Sequence, residues 1–230
     1  TSGTIGAALT GSYGTLTLNA NGSYSYAADR AESLSAGEIK EDVFSYTVSD
    51  GGLTSNAELR ISVTGANDAP SAVSNIETVA ENDVIVDKSL LSDDADIDGD
   101  TLFLSAVRVG SLSETGTSGV IGEALEGTYG TLTLDAAGSY SYAANASAVE
   151  ALAAGATVED VFTYTVSDGD LTSSAELRVT VIGVNDRPTA ISNADAVVEN
   201  GVISEFASPS LLLDDSDVDG DTLVVSAVRS

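Results

Sequence analysis

The chain has 230 residues, 43% of them hydrophobic, which is enough apolar surface for folded cores and excludes a disordered acidic tail. Only 8 Lys and Arg stand against 36 Asp and Glu, and the net charge of −28 excludes nucleic acid and anionic membranes as natural partners. Cys, His, Met and Trp are absent, so disulfides, thiolate chemistry and ordinary zinc, haem or copper centres are excluded, while the abundant carboxylates suit hard cations, Ca²⁺ first. Such a charge strains a compact state, and a bound cation is the expected relief. No run of roughly 20 apolar residues is present to insert into a membrane. No signal peptide is visible, and Thr1 reads as an internal starting point.

Taken in chain order, the elements alternate short strands and polar turns. Thr15-Leu16-Thr17-Leu18 follows Tyr13-Gly14 and alternates polar with apolar residues; Val43 to Val48 is rich in β-branched and aromatic side chains. Asn67-Asp68-Ala69-Pro70 reads as a junction, because proline cannot continue a central strand. Asp93 to Asp100 forms an acidic loop, and Leu102 to Val109 a strand. Tyr129 to Leu134 repeats Tyr13 to Leu18, a turn at 135–138 leads into Ser139 to Tyr142, and Ala146 to Ala154 is the one helix-like stretch. Val161 to Val166, the turn at 167–170 and Ala175 to Ile182 form a hairpin signal, and Asn185-Asp186-Arg187-Pro188 is a second junction. Asp195 to Ile203 reads as an edge strand, and Asp214 to Asp221 repeats the acidic loop.

These matches recur about 118 residues apart, a domain-sized period that excludes a solenoid or a propeller with repeats of roughly 20–50 residues. The junctions divide the chain into 1–66, the back of one sandwich repeat; 67–184, a complete repeat; and 185–230, the front of the next. About seven short strands per repeat, separated by turns, predict an all-β protein of tandem immunoglobulin-like Greek-key β-sandwich domains. The tail 226–229 and the head 1–6 match segments separated by only a short loop in the middle copy, so a tail can complete a head. Two arrangements fit: a piece of a longer tandem array, or identical subunits joined head to tail by strand complementation.

The acidic loops carry the chemistry. Asp94, Asp96, Asp98 and Asp100 alternate along a tight loop, and Asp215, Asp217, Asp219 and Asp221 repeat them. Gly99 and Gly220 permit the turn that lets the carboxylates converge, and Ca²⁺ takes roughly six to eight oxygens. The loop begins like an EF-hand, but serine (Ser105, Ser226) stands where the closing glutamate belongs, so other ligands must come from elsewhere. Strand order is expected to bring the 94–100 loop near Asn185 and Asp186. Glu81 with its copy Glu199, and Asp160 with its copy Asp42, are further candidates. Asp50 and Asp168, expected at the opposite end, read as plain turn residues.

The run from Gly130 to Tyr142, Ala151 to Gly155, Asp160 to Gly169 and Gly183 to Pro188 together resemble the VCBS repeat of large bacterial, RTX-type adhesins, which is similar to cadherin-like domains. The resemblance implies secretion to the bacterial surface and calcium at domain junctions. It further implies that a first-strand glutamate and the Asn-Asp linker share the ion, which Glu81, Asn67, Asp68, Asn185 and Asp186 match. RTX nonapeptide repeats are absent. The function expected is a calcium-stiffened extracellular spacer of a long adhesin or fibre, with neighbouring repeats as partners; the alternative is a self-assembling matrix filament. Catalysis is not expected, since the acids cluster in turns with calcium-like spacing rather than as a glycosidase pair.

Overall fold

The computed structural model describes residues 2–203 and 210–229. The chain forms two compact units. Unit 1 comprises Thr1–Ala72, Asp93–Phe103 and Val166–Ser173; unit 2 comprises Val73–Ser92, Leu104–Thr165 and Ser174–Ser230.

Unit 1 holds β1 (Ala8–Thr10), β2 (Thr15–Leu18) and β3 (Tyr24–Ala27) in one antiparallel sheet, and β4 (Ile39–Ser49) with β5 (Thr54–Thr64) as a long hairpin. Asp50 closes that hairpin by accepting the N–H groups of Gly52 and Leu53 (2.8 and 2.7 Å), an Asx turn. The chain beyond the junction meets the acidic loop through a bridge between Ser71 and Ala95.

Unit 2 carries β6 (Asn75–Ala80), β7 (Val84–Ser89), a 3₁₀ turn at Leu90–Ser92, β9 (Ser118–Gly119), β10 (Ala124–Glu126), β11 (Thr131–Leu134), β12 (Ser139–Ala143) and most of β8 (Phe103–Val109), β13 (Thr157–Ser167) and β14 (Thr172–Ile182), whose residues Phe103, Val166, Ser167, Thr172 and Ser173 fall in unit 1. The strands form two sheets, ordered β10-β11-β12-β7 and β6-β14-β13-β8-β9. Period-2 alternation aims Leu132, Leu134, Tyr140 and Tyr142 from the first sheet at Phe162, Leu177, Val179 and Val181 from the second, and all are buried. Tyr142 and Phe162 meet edge to face across the layers at 6.1 Å. This is the immunoglobulin-like sandwich that the strand count predicts.

Asp160 anchors the interior. Its carboxylate accepts the N–H groups of Thr128, Tyr129 and Gly130 (2.8, 3.0 and 3.0 Å) and the Tyr142 hydroxyl (2.7 Å). Gly127 is required there, because a Cβ at that position would collide with the Asp160 carboxylate. Asp42, Ser12, Tyr13, Gly14 and Tyr26 repeat the arrangement in unit 1.

Two expected elements are not found. Residues 146–154 form turns, with Val149 N–H bonded to Ala146 O and Leu152 N–H to Val149 O, rather than a helix. The stretch is too short to propagate one; Val149 is buried, and just past its end the Gly155 N–H donates to Gly183 O at 2.8 Å. Residues 195–203 form no strand, because among the described residues no strand runs beside them to complete a ladder. Among the described residues, no helix is long and apolar enough to cross a membrane.

Candidate metal centre

The parallel pairing of β6 with β14, in register from Asn75↔Leu177 to Ala80↔Ile182, makes the two strands finish together. Glu81 follows β6 directly and donates its N–H to Ile182 O at 2.9 Å. Its side chain therefore meets the residues just past β14 and the second acidic loop. Carboxylate oxygens of Glu81, Asp186 and Asp219 all lie within 4.8 Å of one another. Glu81 is only 3% exposed, yet neither of its oxygens has a hydrogen-bond donor, and Asp186 Oδ2 and Asp219 Oδ1 are buried without one too.

Three carboxylates in this position are costly unless a cation or protons neutralise them. Burial pushes the Glu81 carboxyl above its ordinary value; the Val184 N–H offsets part of this without reaching hydrogen-bond geometry, and the charges of Asp186, Asp219 and Glu150 raise it further. The remaining oxygens are used to fix the loop. Asp186 N–H donates to Asp219 Oδ2 (2.7 Å), and Asp219 and Asp221 N–H donate to Asp217 Oδ1 (3.1 and 3.2 Å). Gly220, at φ +79°, makes the turn. An all-oxygen donor set, preformed and with orphaned buried atoms aimed at one point, fits a hard divalent cation.

The first acidic loop repeats the arrangement in unit 1. Asp68 N–H donates to Asp98 Oδ2 (2.8 Å), Asp98 N–H to Asp96 Oδ1 (2.9 Å), and oxygens of Asp96, Asp98 and Asp100 converge within 4.8 Å. Asp96 Oδ2 and Asp98 Oδ1 are buried without donors. Burial, then the charges of Asp96, Asp98, Asp168 and Asp170, raise the Asp100 carboxyl.

The expected placements need three corrections. The 94–100 loop does not meet Asn185 and Asp186; it lies with Asn67 and Asp68, and the 215–221 loop takes the later junction. The strand β7, unread in the sequence, is the cause: one additional strand returns the chain to the opposite end of the sandwich. Asp168 is not at the far end either. While closing its turn through the N–H groups of Asp170 and Leu171, it accepts Asn67 Nδ2 at 2.9 Å. Parallel β6 and β14 begin together as well as end together, and the signal within reach was Asp170, which stands where the first copy has Gly52. Asp160 is occupied by four donors and faces the core, so it has no oxygen to spare for an ion.

Among the other candidates, Asn67 and Asn185 brace their own junctions by donating to the carbonyls of Asp68 and Asp186 (3.1 and 2.9 Å). Asp94 is half-buried early in its loop, and Asp215 accepts the Ile191 N–H at 2.8 Å; among the described residues neither joins a three-carboxylate group. Glu199 is exposed, in the same left-handed turn context as Glu81: Asn82 and Asn200 both have φ near +61°.

Together these features define a class: immunoglobulin-like sandwich repeats with paired acidic junction loops. Residues 1–65 and 67–183 match the bacterial cadherin-like domain, and the chain belongs to that family, which is one of non-enzymatic domains. No curated protein matches it. Among solved structures it is similar to the endo-fucoidan hydrolase MfFcnA4 from glycoside hydrolase family 107, at 22% identity and TM-score 0.31 over 77% of this chain and 23% of that one. It is also similar to mouse clustered PcdhgC3 EC1-3, at 15% identity and TM-score 0.31 over 77% of this chain and 53% of that one. The chain thus spans about a quarter of the hydrolase and half of the protocadherin fragment.

Proposed function

We propose that the chain is a calcium-braced spacing segment of a bacterial adhesin or fibre outside the cell, without catalytic activity. The repeat unit in this reading is 67–184, flanked by parts of its neighbours at 1–66 and 185–230. The observation that carries the reading is Glu81, a buried carboxylate with no donor, held among the oxygens of Asp186 and Asp219. Glu81 closes one repeat, Asp186 belongs to the linker, and Asp219 lies in the loop of the next segment. An ion held by all three would tie consecutive repeats together. Bound calcium would supply the positive charge that these groups lack, while the backbone donors at Asp186, Asp219 and Asp221 keep the loop in shape without it.

Extracellular calcium modules bind with Kd of roughly 10⁻⁴–10⁻³ M, which suits calcium outside a cell rather than inside. Calorimetric titration with calcium tests the reading. The expected result is binding in that range, weakened at least tenfold by Glu81→Gln, which keeps size and removes charge. Absence of binding heat in the unaltered chain at millimolar calcium overturns it.

A further inference from the structure

The sheet β10-β11-β12-β7 of the complete repeat has an outer face that neither the core nor the metal centre uses. Leu134, Tyr140 and Tyr142 are buried, so alternation turns Thr133, Ser139 and Ser141 outward. Thr133 stands opposite Ser141, and Ser139 opposite Ser89, which lays hydroxyl groups side by side across three strands. They line a groove of about 620 Å³ together with Val86, Asp87 and Asp135. That volume falls within the roughly 300–1,000 Å³ of small-molecule sites. Among the described residues, none of these hydroxyls is engaged in a hydrogen bond.

Asp87 interrupts the ladder at this point. Tyr140 pairs with Lys88 and Tyr142 with Ile85, so Val86 and Asp87 stand together against Ser141. This is a β-bulge, and Asp87 holds it at φ +56°. Glycine takes that conformation freely, whereas a residue with a Cβ is strained in it. Strained residues of this kind cluster at functional sites. Lys88, next in sequence, turns its ammonium to Glu77 (3.1 Å), which also accepts the Tyr140 hydroxyl (3.2 Å). Among the described residues nothing pairs with the Asp87 carboxylate. A bulge that served the fold only would be better made by glycine.

Asp135 is the second carboxylate of the groove, and it is held rigidly. Its N–H donates to Ser139 O (2.9 Å) and its Oδ1 accepts the Ser139 N–H (3.0 Å), which leaves Oδ2 to spare. The turn it opens is fastened by Leu90 N–H to Gly138 O and Leu104 N–H to Ala136 O, both 2.9 Å. The groove is therefore preformed. Serine and threonine hydroxyls both donate and accept, and carboxylates accept strongly, which matches a ligand dense in hydroxyl groups. Val86, 55% exposed, offers an apolar contact to the C–H face of a sugar ring. The two carboxylates and the chain's charge of −28 repel an anion, and a wholly apolar ligand would strand the polar groups.

We propose that this groove binds a neutral polysaccharide, with Asp87 and Asp135 accepting from adjacent sugar hydroxyls and Thr133 and Ser141 completing the contact. The inference stands apart from the metal reading, since none of these residues belongs to the carboxylate group at Glu81.

Native electrophoresis of the 230-residue chain through gels carrying dextran, laminarin or galactomannan, with alginate as the anionic control, tests this. The expected result is retardation by at least one neutral polymer and none by alginate. Asp87→Gly/Thr133→Val should weaken that retardation at least about tenfold, the scale of losing a hydrogen bond to a charged group. Its melting temperature should be no lower than that of the unaltered chain, since glycine suits the bulge and valine keeps the size of threonine. Asp87→Asn, which tolerates the same φ and removes only the charge, should weaken retardation to a smaller extent and decides the matter if the double variant does not fold. Absence of retardation by every neutral polymer overturns the inference. So does equal retardation by alginate, or retardation that these variants retain in full.

Discussion

The two copies of the back half-repeat differ little in sequence and greatly in burial. Tyr164 is fully buried in the complete repeat, while its counterpart Tyr46 is 37% exposed; Val166 is buried and Val48 is exposed. Both copies nevertheless build the same hairpin and the same aspartate cradle, around Asp160 and Asp42. Hairpin and cradle are therefore local products of sequence: alternation, an Asx turn, and a glycine-flanked loop whose N–H groups converge on one carboxylate. The apolar core is not local. In the complete repeat it includes β6, β7 and β8 from the front half; in unit 1 Phe44 still packs edge to face on Tyr26 at 6.3 Å and Val63 is buried, but Tyr46 and Val48 are left exposed.

The largest expected contrast comes from truncating the equivalent tyrosines. Tyr164→Ala should cost about 3–5 kcal/mol by scanning calorimetry, the range for large buried aromatic side chains. Tyr46→Ala should cost less than about 1 kcal/mol. Equal costs would break the comparison. Next, Asp160→Ala strands three backbone N–H groups and should cost about 3 kcal/mol, while Tyr142→Phe, which removes one bond to a charged group, should cost about 1.5–3 kcal/mol. Both should lower the transition of the complete repeat first. Calcium at about a hundred times its Kd should add about 2.7 kcal/mol by mass action, seen as a higher melting temperature that EGTA reverses and Glu81→Gln abolishes.

Acid sharpens the comparison with smaller, opposing effects. In calcium-free protein, folding raises the Glu81 carboxyl above its ordinary 4.5. The folded state then holds a proton that the unfolded chain has released. This contribution is full below the ordinary value and is lost as pH rises through the raised one. Asp42 behaves the other way. Burial alone would raise it, but the Tyr26 hydroxyl and the N–H groups of Ser12, Tyr13 and Gly14 outweigh burial and hold it below its ordinary 3.8. The Tyr26 phenol, pushed up to about 12, stays protonated and keeps donating. Asp42 therefore stabilises unit 1 above the ordinary value and fails as pH falls through the lowered one. Calcium-free melting curves should show stability rising from neutrality to mild acid, then falling in strong acid. With calcium bound, the mild-acid gain should vanish, since protons and the cation compete for the same oxygens.

Much of this was legible in the sequence because it depends on short-range chemistry. The runs at 131–134, 139–142, 161–166 and 175–182 alternate apolar and polar residues, and each lies within a strand. The acidic loops, too, converge within themselves as their spacing suggests. Which junction each loop serves was not legible, because that depends on the parity of strand crossings: Val84–Ser89, with Asp87 and Lys88 in its centre, lacks a clean alternation, and missing it reversed the end at which the next loop lies. Asp160 looked like a ligand because it is an acid at the head of a strand. Its four donors come from residues about 18–32 positions away, beyond any local pattern. The edge strand at 195–203 has the composition of a strand but no neighbour to pair with, and composition alone does not make a ladder.

A crystal structure grown in millimolar calcium would test the central claim most directly. The result expected is density for one ion between Glu81, Asp186 and Asp219, with carboxylate oxygens at about 2.3–2.6 Å. A well-ordered Glu81 turned away from both aspartates, or hydrogen-bonded to them as a neutral acid with no ion between, would contradict it.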